Sequence, residues 1–470
     1  MKGKKMSVRK IVLGLSISIL FMVILLFTNL VFAAAPKIKT PLGPNVIIIT
    51  IDCLRPDHLG VYGYKRNTSS FIDRLAKEGV LFTNAYANAS WTTPSIGTIF
   101  TSLYPNTHGV VSKTSALPEE ALTIMEIFKS NGYTTLIVSA NESISGVFNF
   151  DQGVDHCIIT ELNAGAVNEG FLSALPKIRK GKFIAYLHYM DTHMPYNVNA
   201  YNDFYGKRPE GSFFKPAKYP FNYRARGETA NGTMSQEDKD YIVNLYDGQI
   251  KFIDKEMEEL FGTLKSERLL KDTIVILIAD HGEEFWDHGN VEHGHTLYEE
   301  LLRVPLIITG KNLEHSVISK RVRLVDLLPS ILEMVDIQVE GSYFQGESFL
   351  SALDKQEYKS ELPVFASGQY FGDEKYCLIE GHAKIILNTG NTDKKIALVG
   401  WKSSEETEFY DLRKDPHEKS PLNREGFKYS SSLKEDLSAF INKDADLLER
   451  EETVIKDKEL IQKFKSLGYM

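Results

Sequence analysis

Cysteine is scarce in this chain: Cys53, Cys157 and Cys377 are the only three in 470 residues. An odd and sparse set excludes a disulfide framework, even in an oxidising compartment. A surplus of positive charge is lacking as well. Lys and Arg number 54 against 62 Asp and Glu, a net charge of −8, which excludes a dedicated nucleic-acid binder. Internal repeats and low-complexity blocks are absent, so solenoids and disordered scaffolds are set aside. An acidic protein that handles an anionic substrate needs a local positive site, such as a metal ion.

What is present begins with a targeting segment. Lys2, Lys4, Lys5, Arg9 and Lys10 precede an apolar run from Ile11 to Phe32, roughly 20 residues and long enough to span a bilayer. The basic flank stays in the cytoplasm, which puts the remainder outside it. Val31-Phe32-Ala33 suits signal peptidase, so residues 1–35 read either as a cleaved signal peptide or as a membrane anchor. Residues 36–44, with Pro36, Pro41 and Pro44, form a linker. Glycosylation sequons stand at Asn67, Asn88, Asn141 and Asn231.

Three β-branched or apolar runs each end in residues suited to metal binding or acid–base work. They are Asn45 to Asp52, Phe183 to Asp191 and Thr273 to His281. Such runs are buried parallel strands, whose C-terminal ends hold ligands in α/β sheets. Helices are expected over Ser70–Glu78 with a Ser70-x-x-Asp73 cap, over Pro94–Leu103, and over a long amphipathic stretch capped by Ser235 and running to about Leu264. This alternation implies an α/β fold, a mainly parallel central sheet flanked by helices. After about Pro363 short alternating strands, around Tyr376–Leu387 and Lys395–Trp401, imply a small C-terminal antiparallel subdomain over 363–430, followed by a helical tail over 431–470.

Asp52 alone could be a turn or cap residue. Asp280-His281-Gly282-Glu283, with Asp287, His288, His293 and His295 downstream, points to a metal site, the glycine allowing a sharp backbone turn. In Ser90-Trp91-Thr92-Thr93-Pro94-Ser95, Pro94 suits the first helical position. Thr92 would then stand at a helix N-terminus, where free amides and the dipole favour an anion. From the local sequence alone, Thr92 or Thr93 capping that helix is the simpler reading.

The segments Ile49–Gly60 with Tyr62-Gly63-Tyr64, Phe71–Ala85, Tyr104–Gly109, Leu187–Tyr196, Asp280–Glu283 with Leu297–Glu300, Asp326–Leu332, Phe409–Leu412 and Leu467-Gly468-Tyr469 together resemble the sulfatase family of the alkaline phosphatase-like superfamily. The resemblance spans residues 45–470 and implies a sulfatase-like catalytic domain over 45–362. It implies that Asp52, Asp280 and His281 bind one divalent cation, joined by Thr92 at the nucleophile position. His193 and His293 would act on the ester's oxygens, with His295 and Arg55 also binding substrate. The chain departs from the family pattern at two points. Thr92-Thr93-Pro94-Ser95-Ile96 replaces the Cys- or Ser-x-Pro-Ser-Arg motif, and a threonine cannot be oxidised to the formylglycine aldehyde. Cys53 stands where a second carboxylate usually follows, which favours manganese or zinc over calcium.

The function implied is metal-dependent hydrolysis of a sulfate, phosphate or phosphonate ester through Thr92, outside the cytoplasm. The substrate would be a small anionic ester or a sulfated or phosphorylated glycan. Alternatives are group transfer to a lipid or cell-wall glycan, and an inactive binding protein on the same fold. The aromatic and basic stretch Tyr196–Arg226 reads as a substrate-selecting lid or an ordinary surface insertion.

Overall fold

A computed structural model describes residues 43–445, apart from 197–200, 202–203, 208, 210–231, 312, 340–343, 353–361, 369, 393–406 and 424–426. The N-terminal apolar run, the 196–226 insertion beyond its first residues, the strand expected over Lys395–Trp401 and the end of the tail therefore lie outside the described residues. No described helix is long and apolar enough to cross a membrane.

Among the described residues, eleven strands come before the C-terminal region. They are β1 (Asn45–Ile51), β2 (Val80–Tyr86), β3 (Thr134–Ser139), β4 (His156–Ile159), β5 (Phe183–Tyr189), β6 (Thr273–Ile278), β7 (Glu284–Phe285), β8 (Val291–Glu292), β9 (Arg303–Thr309), β10 (Ser316–Ile318) and β11 (Val322–Arg323). A nine-stranded sheet has the order β10-β2-β9-β6-β1-β5-β3-β4, with β11 added beside β2. Within it β1 runs parallel to both β5 and β6, while β9 is antiparallel to its neighbours β2 and β6. The fold is thus α/β with a mainly parallel sheet. Every residue of β1, β5 and β6 is buried, as a sheet covered on both faces requires. Burying one such Val, Ile or Leu side chain is worth about 1.5–3 kcal/mol.

The helices Ser70–Glu78 and Gln236–Ser266 form where the pattern places them. Two starts differ. Ser69, rather than Ser70, is the cap residue of the first. Its amides at Phe71 and Ile72 are satisfied instead by Asp254 of the long helix, at 2.8 and 2.9 Å, so a local cap is not needed. The helix expected over Pro94–Leu103 runs from Thr92 to Thr101 with Trp91 at its cap. Pro94 is therefore its third residue, tolerated because first-turn amides have no partner within the helix.

Beyond residue 363, β12 (Val364–Gly368), β13 (Asp373–Glu380), β14 (Ala383–Thr392) and β15 (Thr407–Asp411) form a four-stranded antiparallel sheet. Leu433 and Leu437 of the helix Ser430–Ala445 pack against Leu378, Ile385 and Phe409 of that sheet. An isolated bridge between Ala89 and Ser367 joins it to the segment that follows β2.

Candidate active site

Register brings the chemistry together. Thr50 of β1 is level with His188 of β5 on one side and Ile278 of β6 on the other. Asp52 and Asp280 thus leave neighbouring strands at the same edge of the sheet. Cys53 follows in a left-handed conformation, φ 60°, a strained turn for a residue with a Cβ. The turn aims its amide at Asp280 Oδ1, 3.3 Å away. Gly282 has a different reason to be glycine from the one expected: a Cβ there would fall 1.9 Å from the Glu300 carbonyl oxygen, so close backbone approach, rather than turn conformation, excludes a side chain.

Asp52, Asp280 and His281 are buried, and each offers a ligand atom within 4.8 Å of the others. The Thr92 hydroxyl lies 3.3 Å from Asp52 Oδ2 and 3.3 Å from His281 Nε2. Ser95, one turn along the same helix, holds the Asp280 carbonyl at 2.6 Å. His281 Nδ1 is 2.8 Å from the Gly282 carbonyl, which only accepts. The proton therefore sits on Nδ1, and Nε2 turns its lone pair into the cluster.

The electrostatics of the cluster suit a cation. Burial raises the Asp280 carboxyl far above the carboxylate range, with the Asp52 charge adding to it. Burial acts on Asp52 in the same direction, yet the hydrogen bond from His188 and the fields of His193 and His281 outweigh it and keep Asp52 ionised. Asp280 Oδ2 is buried with no hydrogen-bond partner. Two buried carboxylates side by side, one with an orphaned oxygen, fit a divalent cation that takes the place of a shared proton.

Sequence reasoning overlooked His188. Its Nε2 donates to Asp52 Oδ2 at 3.0 Å, and its Nδ1 accepts from the Tyr186 hydroxyl at 2.9 Å. Cys53 Sγ stands 2.9 Å from Asp52 Oδ1 and 3.5 Å from His293 Nδ1. Burial and the nearby carboxylates push this thiol well above its usual range.

The remaining expected residues separate into two groups. Thr92, His193 and His293 line one narrow cleft of about 40 Å³. The His193 and His293 rings are 5.0 Å apart. Burial lowers the pKa of His193, and Glu283 stands 3.2 Å behind His293 Nδ1, its carboxyl pushed up to about 7 by burial. His295 and Arg55 are not brought to this cleft. His295 Nε2 is held by Glu284 at 2.6 Å, inside the β7–β8 hairpin region that Glu284 also organises through the His288 and Asn290 amides. The Arg55 guanidinium is engaged by Asp57 and Asp287 at 2.8 and 2.7 Å and by the Glu283 carbonyl at 2.9 Å. Four wall residues come from loops where the sequence suggested no site: Lys113, Asn141, Ser143 and Tyr370. Lys113 Nζ lies 4.0 Å from the centre of the Tyr370 ring.

Comparison with known proteins identifies the family. The family model "Sulfatase" matches residues 44–337, and "N-sulphoglucosamine sulphohydrolase, C-terminal" matches residues 287–443. The protein belongs to the sulfatase family and is a hydrolase of ester bonds. It is 23% identical to a Delta 4,5-hexuronate-2-O-sulfatase of Bacteroides thetaiotaomicron, over 83% of this chain and 87% of that protein. Among solved structures, a 2-O GAG sulfatase superposes with a TM-score of 0.68 at 21% identity, covering 86% of this chain and 93% of the other. The phosphonate monoester hydrolase of Agrobacterium radiobacter gives a TM-score of 0.64 at 16% identity, covering 86% and 96%.

Proposed function

We propose that the protein is a metal-dependent, extracytoplasmic hydrolase of anionic esters that uses Thr92 as its nucleophile, and that its target is a phosphoryl centre, a phosphate or phosphonate ester. The supporting observation is the Thr92 hydroxyl held 3.3 Å from both Asp52 and His281. Asp52, Asp280, His281 and Thr92 would hold one divalent cation, manganese or zinc in preference to calcium. When bound, that cation would acidify the Thr92 hydroxyl and offset charge on the ester.

The protein's own groups account for the rest. His188 keeps Asp52 oriented and ionised. The helix Thr92–Thr101 turns its N-terminal amides toward the ester's oxygens. His293 would donate a hydrogen bond to those oxygens as charge builds on them, and His193, whose Nδ1 donates to the Met194 carbonyl at 2.6 Å, would add a second once its Nε2 is protonated. Thr92 Oγ1 bonds to the central atom while the bond to the alcohol breaks, and water later displaces Thr92 at that same atom. Threonine favours phosphorus here. An aldehyde hydrate can expel sulfate by re-forming its carbonyl, whereas a threonine ester must be opened by water at the central atom.

A second reading, a sulfate ester on a glycan, draws on the relatives, of which one is a hexuronate-2-O-sulfatase. Turnover of aryl phosphate, phosphodiester, phosphonate and sulfate substrates, with metal content measured by mass spectrometry, separates the two. Thr92→Ala is expected to lower turnover at least about 1,000-fold while Asp52, Asp280 and His281 still retain metal at saturating concentration. Wild-type rates in that variant would sink the nucleophile assignment.

A further inference from the structure

The active cleft is not the only place where charge is buried in the wall of a cavity. A second and larger cavity, about 460 Å³, opens where the two sheets meet. Thr83 and Tyr86 of β2, Arg303 at the start of β9, Arg321 just before β11, His382 in the β13–β14 turn and Arg413 after β15 line it. None of its lining residues is shared with the active cleft. The two are also well separated. Tyr370, in the cleft wall, precedes the eight-residue strand β13, and Gly381, in this cavity's wall, follows it. A strand of that length extends roughly 25 Å.

Arg321 is the unusual member. It is 5% exposed, and a guanidinium keeps its charge at any ordinary pH. Its Nη2 donates to the Gly381 carbonyl, and its guanidinium carbon stands 5.6 Å from the centre of the Tyr86 ring. Its Nε and Nη1 are buried with no hydrogen-bond partner. The one carboxylate in the cavity wall, Glu299, is already engaged: Oε1 lies 3.1 Å from Lys384 Nζ and Oε2 accepts from the Tyr86 hydroxyl at 2.8 Å. Among the described residues, then, no acid stands within ion-pair distance of Arg321. A buried cation without a counter-charge is costly, and proteins retain one where a ligand supplies the missing acceptor. Arg303 adds a second cation at the wall, its Nη2 resting on the Thr83 carbonyl at 2.8 Å. Arg413 adds little, because Asp411 holds it at 3.2 Å.

We infer that this inter-sheet cavity is a second anion site, with Arg321 as its anchor and Arg303 as its rim, taking an oxyanion such as a sulfate, phosphate or carboxylate group. The fork of guanidinium donors suits paired oxygens, and the aromatic face of Tyr86 fixes the plane of the guanidinium. The oxyanion can reach the site as a free inorganic ion or as a charged group on a long glycan whose reacting end lies in the active cleft. Both sources present the same chemistry to Arg321, and the site does not depend on which ester the cleft cuts.

Equilibrium dialysis of the full-length protein against radiolabelled inorganic sulfate tests the inference, with steady-state kinetics run alongside. Two variants are used: Arg321→Met, which removes the anchor, and Ser319→Tyr, which fills the cavity from an exposed lining position and leaves the buried arginine in place. Each is expected to lower sulfate stoichiometry by one per chain while turnover of a small aryl ester stays within about twofold, below the change that loss of a transition-state contact produces. If the natural occupant is a glycan group, KM for a sulfated oligosaccharide also rises in both variants and KM for the small ester does not. If it is a free ion, both KM values hold and only the sulfate stoichiometry falls. Unchanged stoichiometry and unchanged KM in a folded Ser319→Tyr protein would overturn the site. Hydrolysis plays no part in the dialysis, so failure of the Thr92 assignment would leave this result standing.

Discussion

Two clusters of buried charge lie in this molecule, and they are built in opposite ways. At the ends of β1 and β6, Asp52 and Asp280 stand side by side, and one carboxylate oxygen, 3.4 Å from His281 Nε2, has no hydrogen bond. At the seam between the sheets, Lys384 is fully buried but sits 3.1 Å from Glu299 and 2.7 Å from Glu418. The seam supplies its own partners, with burial pushing the Glu418 carboxyl up to about 8 so that one of the two acids keeps a proton, and it holds β14 against the segment before β9. The strand-end cluster is left short of positive charge. A buried ion pair in one seam and a pair of neighbouring carboxyls in another, one with an oxygen that has no hydrogen bond, suit the second place to a cation.

Substitutions that exchange these behaviours are the sharpest way to break the contrast. Asp280→Asn should remove metal retention and lower turnover on the order of 1,000-fold. The same change should raise the melting temperature of the metal-free protein at pH 8, because one of two neighbouring carboxyls is gone. A lower melting temperature there would mean that Asp280 is a structural acid. Chelation should abolish activity, and manganese or zinc should restore it; calcium restoring it better would reverse the metal preference.

Lys384→Met should act the other way, costing about 3–5 kcal/mol in chemical denaturation by leaving two acids unpaired. Turnover per folded molecule should be unchanged. A stability within error of wild type would show that the seam is as dispensable as a surface pair.

The smallest effect concerns a carboxyl used neither for metal nor for pairing. Asp191 accepts the Ala164 amide at 2.8 Å, and burial pushes its pKa up to about 7 from an ordinary 3.8. The folded state thus holds a proton that the unfolded state has released, and the contribution of Asp191 is fully present below about pH 4 and lost as pH rises to about 7. Asp191→Asn keeps the acceptor and should flatten that part of the stability profile. The gain at pH 8 should be about 2 kcal/mol relative to wild type. An unchanged slope would place the proton elsewhere.

The strand-end residues were legible because an unbroken apolar run ending in Asp or His is a local pattern, and β1, β5 and β6 each carry one. The family likeness then selected Thr92, which local sequence could not distinguish from a helix cap. His188 was not legible, since its role depends on the register that sets it level with Thr50. Asn141 could have been found: it closely follows the end of β3, where the same strand-end rule applies. Lys113 and Tyr370 come from irregular segments and meet only through tertiary packing. Arg55 and His295 misled because charge in a motif says nothing about its partner. Both are taken up by acids of the 280–295 region or beside Arg55 itself, which hold the loop's shape.

The bridge between Ala89 and Ser367 ties the segment that leads into Thr92 to the sheet whose β12–β13 loop carries Tyr370. Thr92 and most of the cleft wall thus come from the larger layer, and among the described lining residues Tyr370 alone comes from the segment between β12 and β13. Drift in the loop between β12 and β13 can reshape what is held without disturbing a ligand at the ends of β1 and β6. A lineage built this way can change its diet while keeping its blade.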